Sequence, residues 1–200
     1  MEKEIKIKTA DKKVIYGTLK LANDSDKLII LVHGLTDHQN NHMFYNARSF
    51  FSKNGFSVFS FDLYSWEKDS RKFQDCTLRT HSNDLDTVIE YFKGKFSKIY
   101  LVGHSLGCPT ILLCNYNMVN AIVFWDPSYD FEKFMKMCSK FDSSAGVYVL
   151  DNAYEVIVRD CMYRSLTSEF PDCFELVKKM EKPLNIIAAG KGLLIKGAKK

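Results

Sequence analysis

The sequence contains few residues that interrupt secondary structure, with 10 glycines and 4 prolines among 200 residues. Flexible linkers are rich in glycine, proline or serine, so no long linker is predicted, and the length fits one domain with a sizeable core. The six cysteines form no Cys-x-x-Cys pair and follow no regular spacing. This pattern disfavours a zinc site or a disulfide framework. No metal-site, nucleotide-loop or cofactor motif is present, so no cofactor is expected.

Long apolar runs and a strong excess of one charge are also absent. The first residues (MEKE) alternate in charge, and no apolar run approaches the ~18 residues that cross a bilayer. The net charge is only +4, and no stripe of basic residues with interleaved aromatics occurs. We therefore expect a protein of the reducing cytoplasm, with no membrane span and no nucleic-acid partner. The oligomeric state stays open.

Apolar runs of strand length alternate with helical spacings through much of the chain. Residues 5–21 alternate apolar and polar side chains around a polar turn, which predicts a β-hairpin at a sheet edge. Further strands are predicted at residues 28–32, 56–61, 99–102, 121–125 and 183–189. Helices are predicted between them at residues 44–52, 77–92 and 110–114. The predicted fold is α/β, with a mostly parallel central sheet and helices on both faces.

Residues 127–182 interrupt this alternation. They are polar, rich in Phe, Tyr and Met, and mixed in periodicity. We expect them to form a small, partly helical cap between the sixth and seventh strands, while residues 1–126 and 183–200 form the core. Most aromatic side chains of the cap are expected to pack it onto the sheet, and some to line an apolar pocket.

The pentapeptide Gly103-His104-Ser105-Leu106-Gly107 lies between a predicted strand and a predicted helix. A G-x-S-x-G motif in that setting is typical of a nucleophile elbow, a sharp turn that exposes the serine at its tip. Ser105 is therefore the candidate nucleophile. The motif alone also occurs by chance in Gly-rich turns, so its strand–helix setting carries much of the weight.

A second motif, His33-Gly34-Leu35-Thr36, directly follows the strand at residues 28–32. Taken together, the motifs resemble the α/β-hydrolase superfamily, especially its small serine esterases, acyl hydrolases and monoglyceride-lipase-like members. The matching segments are residues 31–34, 61–62, 84, 101–107 and 182–187. The resemblance covers nearly the whole chain and is specific for the fold, but not for a substrate.

The resemblance also implies roles for individual residues. The backbone N–H groups of Leu35 and Leu106 would form the oxyanion hole. His33 and Gly34 would shape the loop that carries Leu35. Gly103 and Gly107 would allow the tight turn, which His104 also supports.

The chain departs from the family in its base, its acid and its C-terminal part. The family's catalytic histidine lies near the C-terminus, whereas all five histidines here (33, 38, 42, 81 and 104) precede Ser105. None is a favoured base, and His81 is expected on the surface. The usual acid position after residues 184–189 holds no carboxylate, so Asp126, at the end of the preceding strand, is the best acid candidate. An interpretation of equal weight is that Asp126 is a loop residue that starts a turn before Pro127.

Two explanations of the missing base compete. Either the sequence is a fragment that lacks a C-terminal strand and helix carrying the histidine, or the protein is a natural relative that has lost its base. The intact elbow favours the fragment, and the catalytic histidine is then expected beyond the given chain. The 200-residue chain alone is expected to be nearly inactive, since a serine without a base is a poor nucleophile.

The leading hypothesis is a serine hydrolase that cleaves a small or medium carboxylic ester, or a thioester, through an acyl-Ser105 intermediate. Its partner would be a small-molecule substrate. The alternative is a non-catalytic member of the same fold that binds a ligand or a protein partner. A peptidase or lyase on this fold is a third hypothesis, which the motifs do not exclude.

Overall fold

The computed structural model describes residues 2–152 and 154–189. The strands of this part of the chain are β1 (Glu2–Lys8), β2 (Val14–Lys20), β3 (Lys27–Val32), β4 (Ser57–Phe61), β5 (Lys98–His104), β6 (Ala121–Trp125), β7 (Ser139–Asp142), β8 (Val147–Asn152), β9 (Tyr154–Val158) and β10 (Leu184–Ile187). The α-helices are α1 (His42–Lys53), α2 (Leu78–Phe92), α3 (Gly107–Leu113), α4 (Phe131–Cys138), α5 (Asp160–Leu166) and α6 (Cys173–Lys178), and a short 3-10 helix spans Phe73–Asp75.

A central sheet of the order β1-β2-β4-β3-β5-β6-β10 organises the molecule. β1 and β2 form the predicted edge hairpin, and β2 also pairs antiparallel with β4. All other neighbours in this sheet are parallel. The prediction of a mostly parallel sheet is confirmed.

Helices cover both faces of the sheet, as the continuous apolar runs predict. In β3, Leu28 and Ile30 face one core, which includes residues of α2 and α3. The alternate residues Ile29 and Leu31 face a second core with Phe44 of α1. Successive side chains of a strand point to opposite faces, so a strand buried on both sides must be apolar throughout.

Helix α2 corrects one prediction. His81 is fully buried rather than exposed at the surface. The residue lies three positions after Leu78 and four before Leu85, and both are buried. Positions three and four apart share one helix face, so His81 belongs to the buried face of α2 despite its polar side chain.

Residues 127–182, which we call the connecting segment, run from β6 to β10 and contain α4, α5, α6 and a second sheet. Strands β7, β8 and β9 form this antiparallel sheet. The helices match the expectation of partial helicity, whereas the three-stranded sheet was not predicted. Its apolar side chains pack with Met135 and Met162, and also with Leu106 from the elbow.

Within residues 2–152 and 154–189, no helix has both the length and the apolar character needed to cross a bilayer.

Candidate active site

The turn between β5 and α3 holds Ser105 in a left-handed backbone conformation, with φ at 50°. This region is unfavourable for a residue with a side chain and persists only where the surroundings impose it. The Ser105 N–H donates to the Trp125 carbonyl at 3.1 Å, and the Ser105 carbonyl accepts from Cys108 N–H at 3.1 Å. Both hydrogen bonds hold the serine at the tip of the turn.

The glycines on either side of Ser105 allow close backbone contacts. A Cβ at Gly103 would lie 2.7 Å from the carbonyl carbon of Gly107, and one at Gly107 would lie 2.2 Å from the Val32 carbonyl oxygen. Neither distance leaves room for a methyl group. The turn therefore packs tightly against the end of β3, which is the steric reason for G-x-S-x-G at this position.

The loop after β3 is anchored by His33, which is fully buried. Its Nε2 accepts the Leu63 N–H at 3.0 Å, so its proton lies on Nδ1, which donates to the Gly34 carbonyl at 2.8 Å. Burial lowers the pKa of His33 below its ordinary value, which keeps the ring neutral and suited to both bonds. His33 is a structural residue of the loop, as the resemblance implies.

Asp62, at the end of β4, holds the same loop from its other side. Its carboxylate accepts the Gln39 backbone N–H at 2.8 Å and the Gln39 side-chain amide at 2.9 Å. Gly34 in turn lies against the nucleophile, since a Cβ built on it would be 3.2 Å from the Ser105 Cβ. These contacts bring the His-Gly loop and the elbow together.

Leu35 and Leu106 occupy different environments beside Ser105. Leu35 lines the cavity that contains Ser105, whereas the Leu106 side chain is fully buried under the connecting segment. In the described part of the chain, neither backbone amide has a hydrogen-bond acceptor. Both N–H groups belong to segments that meet at Ser105, and their role as an oxyanion hole stays a prediction from the resemblance.

Asp126 follows β6 directly and lies across from Ser105, because His104 and Trp125 are partners in the β5–β6 register. Its φ is 47°, and its carboxylate accepts the Ala189 N–H at 3.2 Å. Asp126 also lines the cavity at Ser105. The structure thus brings this acid candidate to the site, although no histidine among the described residues forms a hydrogen bond with it.

Ser128 is a site residue that sequence reasoning missed. Its Oγ shares a 2.9 Å hydrogen bond with the Ser105 Oγ. The available signal was the register of β5 and β6, which places residues just after β6 next to the elbow. A lone serine after Asp126-Pro127 has no motif, so only the fold identifies it.

The histidines in the described residues make no hydrogen bond to Ser105. The His104 Nδ1 lies 3.2 Å from the position that a Cβ on Gly34 would occupy, and its ring centroid is 6.2 Å from that of Trp125. Burial lowers the pKa of His104, and its Nδ1 has no hydrogen-bond partner within residues 2–152 and 154–189. His38 and His42 are exposed.

Asp84, one of the residues that match the family, forms a structural ion pair. Arg71 donates to both its carboxylate oxygens, at 2.5 and 2.7 Å, and to the carboxylate of Asp11 at 2.8 and 3.1 Å. Burial raises the pKa of Asp84 against the opposing effect of Arg71. Hydrogen bonds from Arg71 and Thr9 lower the pKa of Asp11 to about 2. This network ties α2 to the β1–β2 turn and does not include Ser105.

A cavity of about 420 Å³ lies between the carboxyl ends of the central strands and the connecting segment. Ser105 lines it together with Phe124 of β6, Phe131 and Phe134 of α4, and Leu150 of β8. This volume and this largely apolar lining are typical of a site for a small organic molecule.

Comparisons with known proteins agree with this architecture. A family model described as "Alpha/beta hydrolase family" matches residues 29–173. A search of curated proteins found no match.

Solved structures share the fold at low sequence identity. Est1E from Butyrivibrio proteoclasticus, solved with ferulic acid bound, superposes with a TM-score of 0.76 at 22% identity, over 91% of this chain and 77% of that one. The esterase Pf2001 from Pyrococcus furiosus gives a TM-score of 0.66 at 22% identity, over 93% and 69% of the two chains. The alpha/beta hydrolase GrgF from Penicillium sp. sh18 gives 0.68 at 13% identity, over 98% and 93%.

Proposed function

Because the chain belongs to the alpha/beta hydrolase family, we propose that it is a serine hydrolase that cleaves a small or medium carboxylic ester, or a thioester. The observation that carries this proposal is the strained backbone of Ser105, whose φ is 50° at the floor of an apolar cavity. Such strain is costly and is characteristic of functional sites. An elbow that served only as a turn would not require a residue with a side chain in this conformation.

In the proposed reaction, the Ser105 Oγ attacks the carbonyl carbon and its proton passes to a base. The carbonyl oxygen becomes an oxyanion, which the N–H groups of Leu35 and Leu106 stabilise. Collapse of the tetrahedral intermediate expels the alcohol or thiol, which takes the proton back from the base, and leaves an acyl-Ser105 ester. Water then attacks this ester, and the acid product leaves.

The base is the part of this mechanism that the described residues do not supply. The Ser105 hydroxyl is bonded to Ser128, and a serine hydroxyl is too weak a base to activate another one. We propose that a histidine from outside the given sequence takes this role, with Asp126 as its candidate acid. The 2.9 Å Ser105–Ser128 bond would then be exchanged for a bond to that histidine.

We also propose that the connecting segment acts as a cap over Ser105. Its residues Phe131, Phe134 and Leu150 supply part of the cavity wall. A wall of this kind excludes water and favours an apolar acyl or alkyl group.

A second candidate function is non-catalytic binding of a ligand in the same cavity. The observation that favours it is the Ser105–Ser128 hydrogen bond, which takes the place of the serine–histidine bond of a working triad.

A fluorophosphonate probe distinguishes these two functions, because it reacts with activated serines. We expect the full-length protein to be labelled, and Ser105→Ala to abolish the labelling. Replacement of the exposed Ser143 by alanine serves as a matched control and should leave labelling unchanged. Absence of labelling in the folded full-length protein would contradict the hydrolase and favour the binding protein.

A further inference from the structure

We propose that the site at Ser105 accepts substrates without negative charge on the acyl or leaving group, and that Asp130 is one residue that sets this preference. This inference rests on the proposed function, since it concerns the cavity that would hold the acyl-enzyme. It narrows the substrate to uncharged or cationic esters and disfavours polyanionic thioesters.

The first observation is the charge of the cavity wall. Among the described residues that line it, Asp126 and Asp130 carry carboxylates, and none is a lysine, arginine or histidine. The remaining lining side chains are apolar, hydroxyl or thiol groups. A permanent anion bound there would lose its hydration, face the like charge of Asp130 and gain no cationic partner from these residues, while Asp126 would be paired with the proposed histidine.

The thiols of Cys108 and Cys173 do not change the charge of the cavity wall, because they remain protonated. Burial raises the pKa of Cys108, and the charge of Asp126 adds to the effect. Burial likewise raises the pKa of Cys173, with smaller contributions from Asp172 and Asp130. The carboxylates therefore act on groups inside the cavity, and they oppose negative charge there.

In the proposed site, the hydrogen-bond donors that would stabilise negative charge lie only at the oxyanion position. The N–H groups of Leu35 and Leu106 would stabilise a charge that develops on one oxygen beside Ser105. They offer nothing to a carboxylate or phosphate elsewhere in the cavity. A site of this design accepts transient negative charge at one point and resists permanent negative charge at others.

Asp130 can be tested without disturbing the fold. Its carboxylate caps α4 by accepting the Lys133 N–H at 3.1 Å, and asparagine caps a helix as well as aspartate does. Asp130→Asn thus removes the charge and keeps the cap. Asp142→Asn is the matched control, because Asp142 also accepts backbone N–H groups, those of Ser144 and Ala145, and does not line this cavity.

The experiment uses three ligands with one apolar group and different charge: 4-phenylbutan-1-ol, 4-phenylbutylamine and 4-phenylbutanoate. Calorimetric titration of Ser105→Ala measures binding without turnover, so the outcome does not depend on catalysis. We expect the alcohol and the amine to bind at least about tenfold more tightly than the carboxylate, as for a like-charge contact in a partly buried site. Asp130→Asn should reduce this ratio to about threefold, and Asp142→Asn should leave it unchanged.

Three results would overturn the inference: equal or tighter binding of the carboxylate, equal effects of the two Asp→Asn variants, or no binding of any ligand. The outcome is separable from that of the proposed function. If the protein shows the charge preference but is not labelled by the fluorophosphonate, the proposed charge preference of the cavity is supported and the proposed hydrolase activity is contradicted.

Discussion

The elbow and the connecting segment form opposite sides of one cavity, yet they are shaped by different physical causes. At the elbow, Gly107 has no room for a side chain, since a Cβ would lie 2.2 Å from a backbone oxygen of β3. In the connecting segment, Gly146 has a φ of 65° and nothing within 4 Å of its Cβ position. The elbow is fixed by close backbone contacts, which require glycine at particular positions and so produce a short recognisable motif. The connecting segment is fixed by apolar packing, which many different sequences could provide.

Substitution of these two glycines by alanine should give the largest difference in unfolding free energy between the two regions. Gly107→Ala forces a methyl group into the Val32 backbone and should cost about 3 kcal/mol of unfolding free energy, the upper end of typical overpacking penalties. Gly146→Ala meets no atoms and should cost only the ~1 kcal/mol of a left-handed alanine. Urea unfolding of both variants measures the difference.

A similar loss of unfolding free energy in both variants would contradict this comparison, because it would mean that the steric contact at Gly107 carries no extra penalty. The φ values make the test sharp. Gly107 begins α3 with an ordinary helical backbone, so any large penalty there must come from the steric contact.

Acid should destabilise the central-sheet side through His81. Both ring nitrogens lack a hydrogen-bond partner among the described residues, and burial lowers the pKa of His81 from 6.5 to about 3. Between these values, the unfolded chain binds a proton that the folded chain does not, so stability falls as pH falls. The contribution of His81 is ~1.4 kcal/mol per pH unit, or about 2 kcal/mol between pH 6.5 and pH 5.

His81→Met should therefore reduce the slope of unfolding free energy against pH between pH 6 and 4 by the equivalent of about one bound proton. The exposed His42, replaced by glutamine, is the matched control and should leave the slope unchanged. An unchanged slope in His81→Met would show that His81 finds a partner or titrates normally. Residues 127–182 contain no histidine, so the effect of histidine protonation on the unfolding free energy should arise on the central-sheet side of the cavity.

The same contrast explains what the sequence could predict. Gly103 and Gly107 were predictable because local sterics demand glycine on either side of the turn, and Ser105 was predictable because it stands between them in the motif. The continuous apolar runs predicted the parallel sheet because a strand buried on both faces has no polar positions. Asp126 was predicted as the acid candidate because the resemblance allows an acid at the end of the strand before the usual one.

Other features depend on contacts between distant residues and could not be predicted in this way. Ser128 meets Ser105 only because β6 pairs with β5. The antiparallel sheet of β7, β8 and β9 depends on contacts of β8 with α4 and α5, which the sequence pattern does not show. His81 was misjudged because its polarity was given more weight than its spacing from Leu78 and Leu85, although the spacing predicted burial.

The central claim is that Ser105 forms an acyl-enzyme. The most direct measurement incubates the full-length protein with p-nitrophenyl butanoate, quenches it in acid within seconds and locates the adduct by peptide fragmentation. We predict a butanoyl group on Ser105, absent from Ser105→Ala. Release of p-nitrophenol without an adduct on Ser105, or an adduct on Cys108 instead, would contradict the claim.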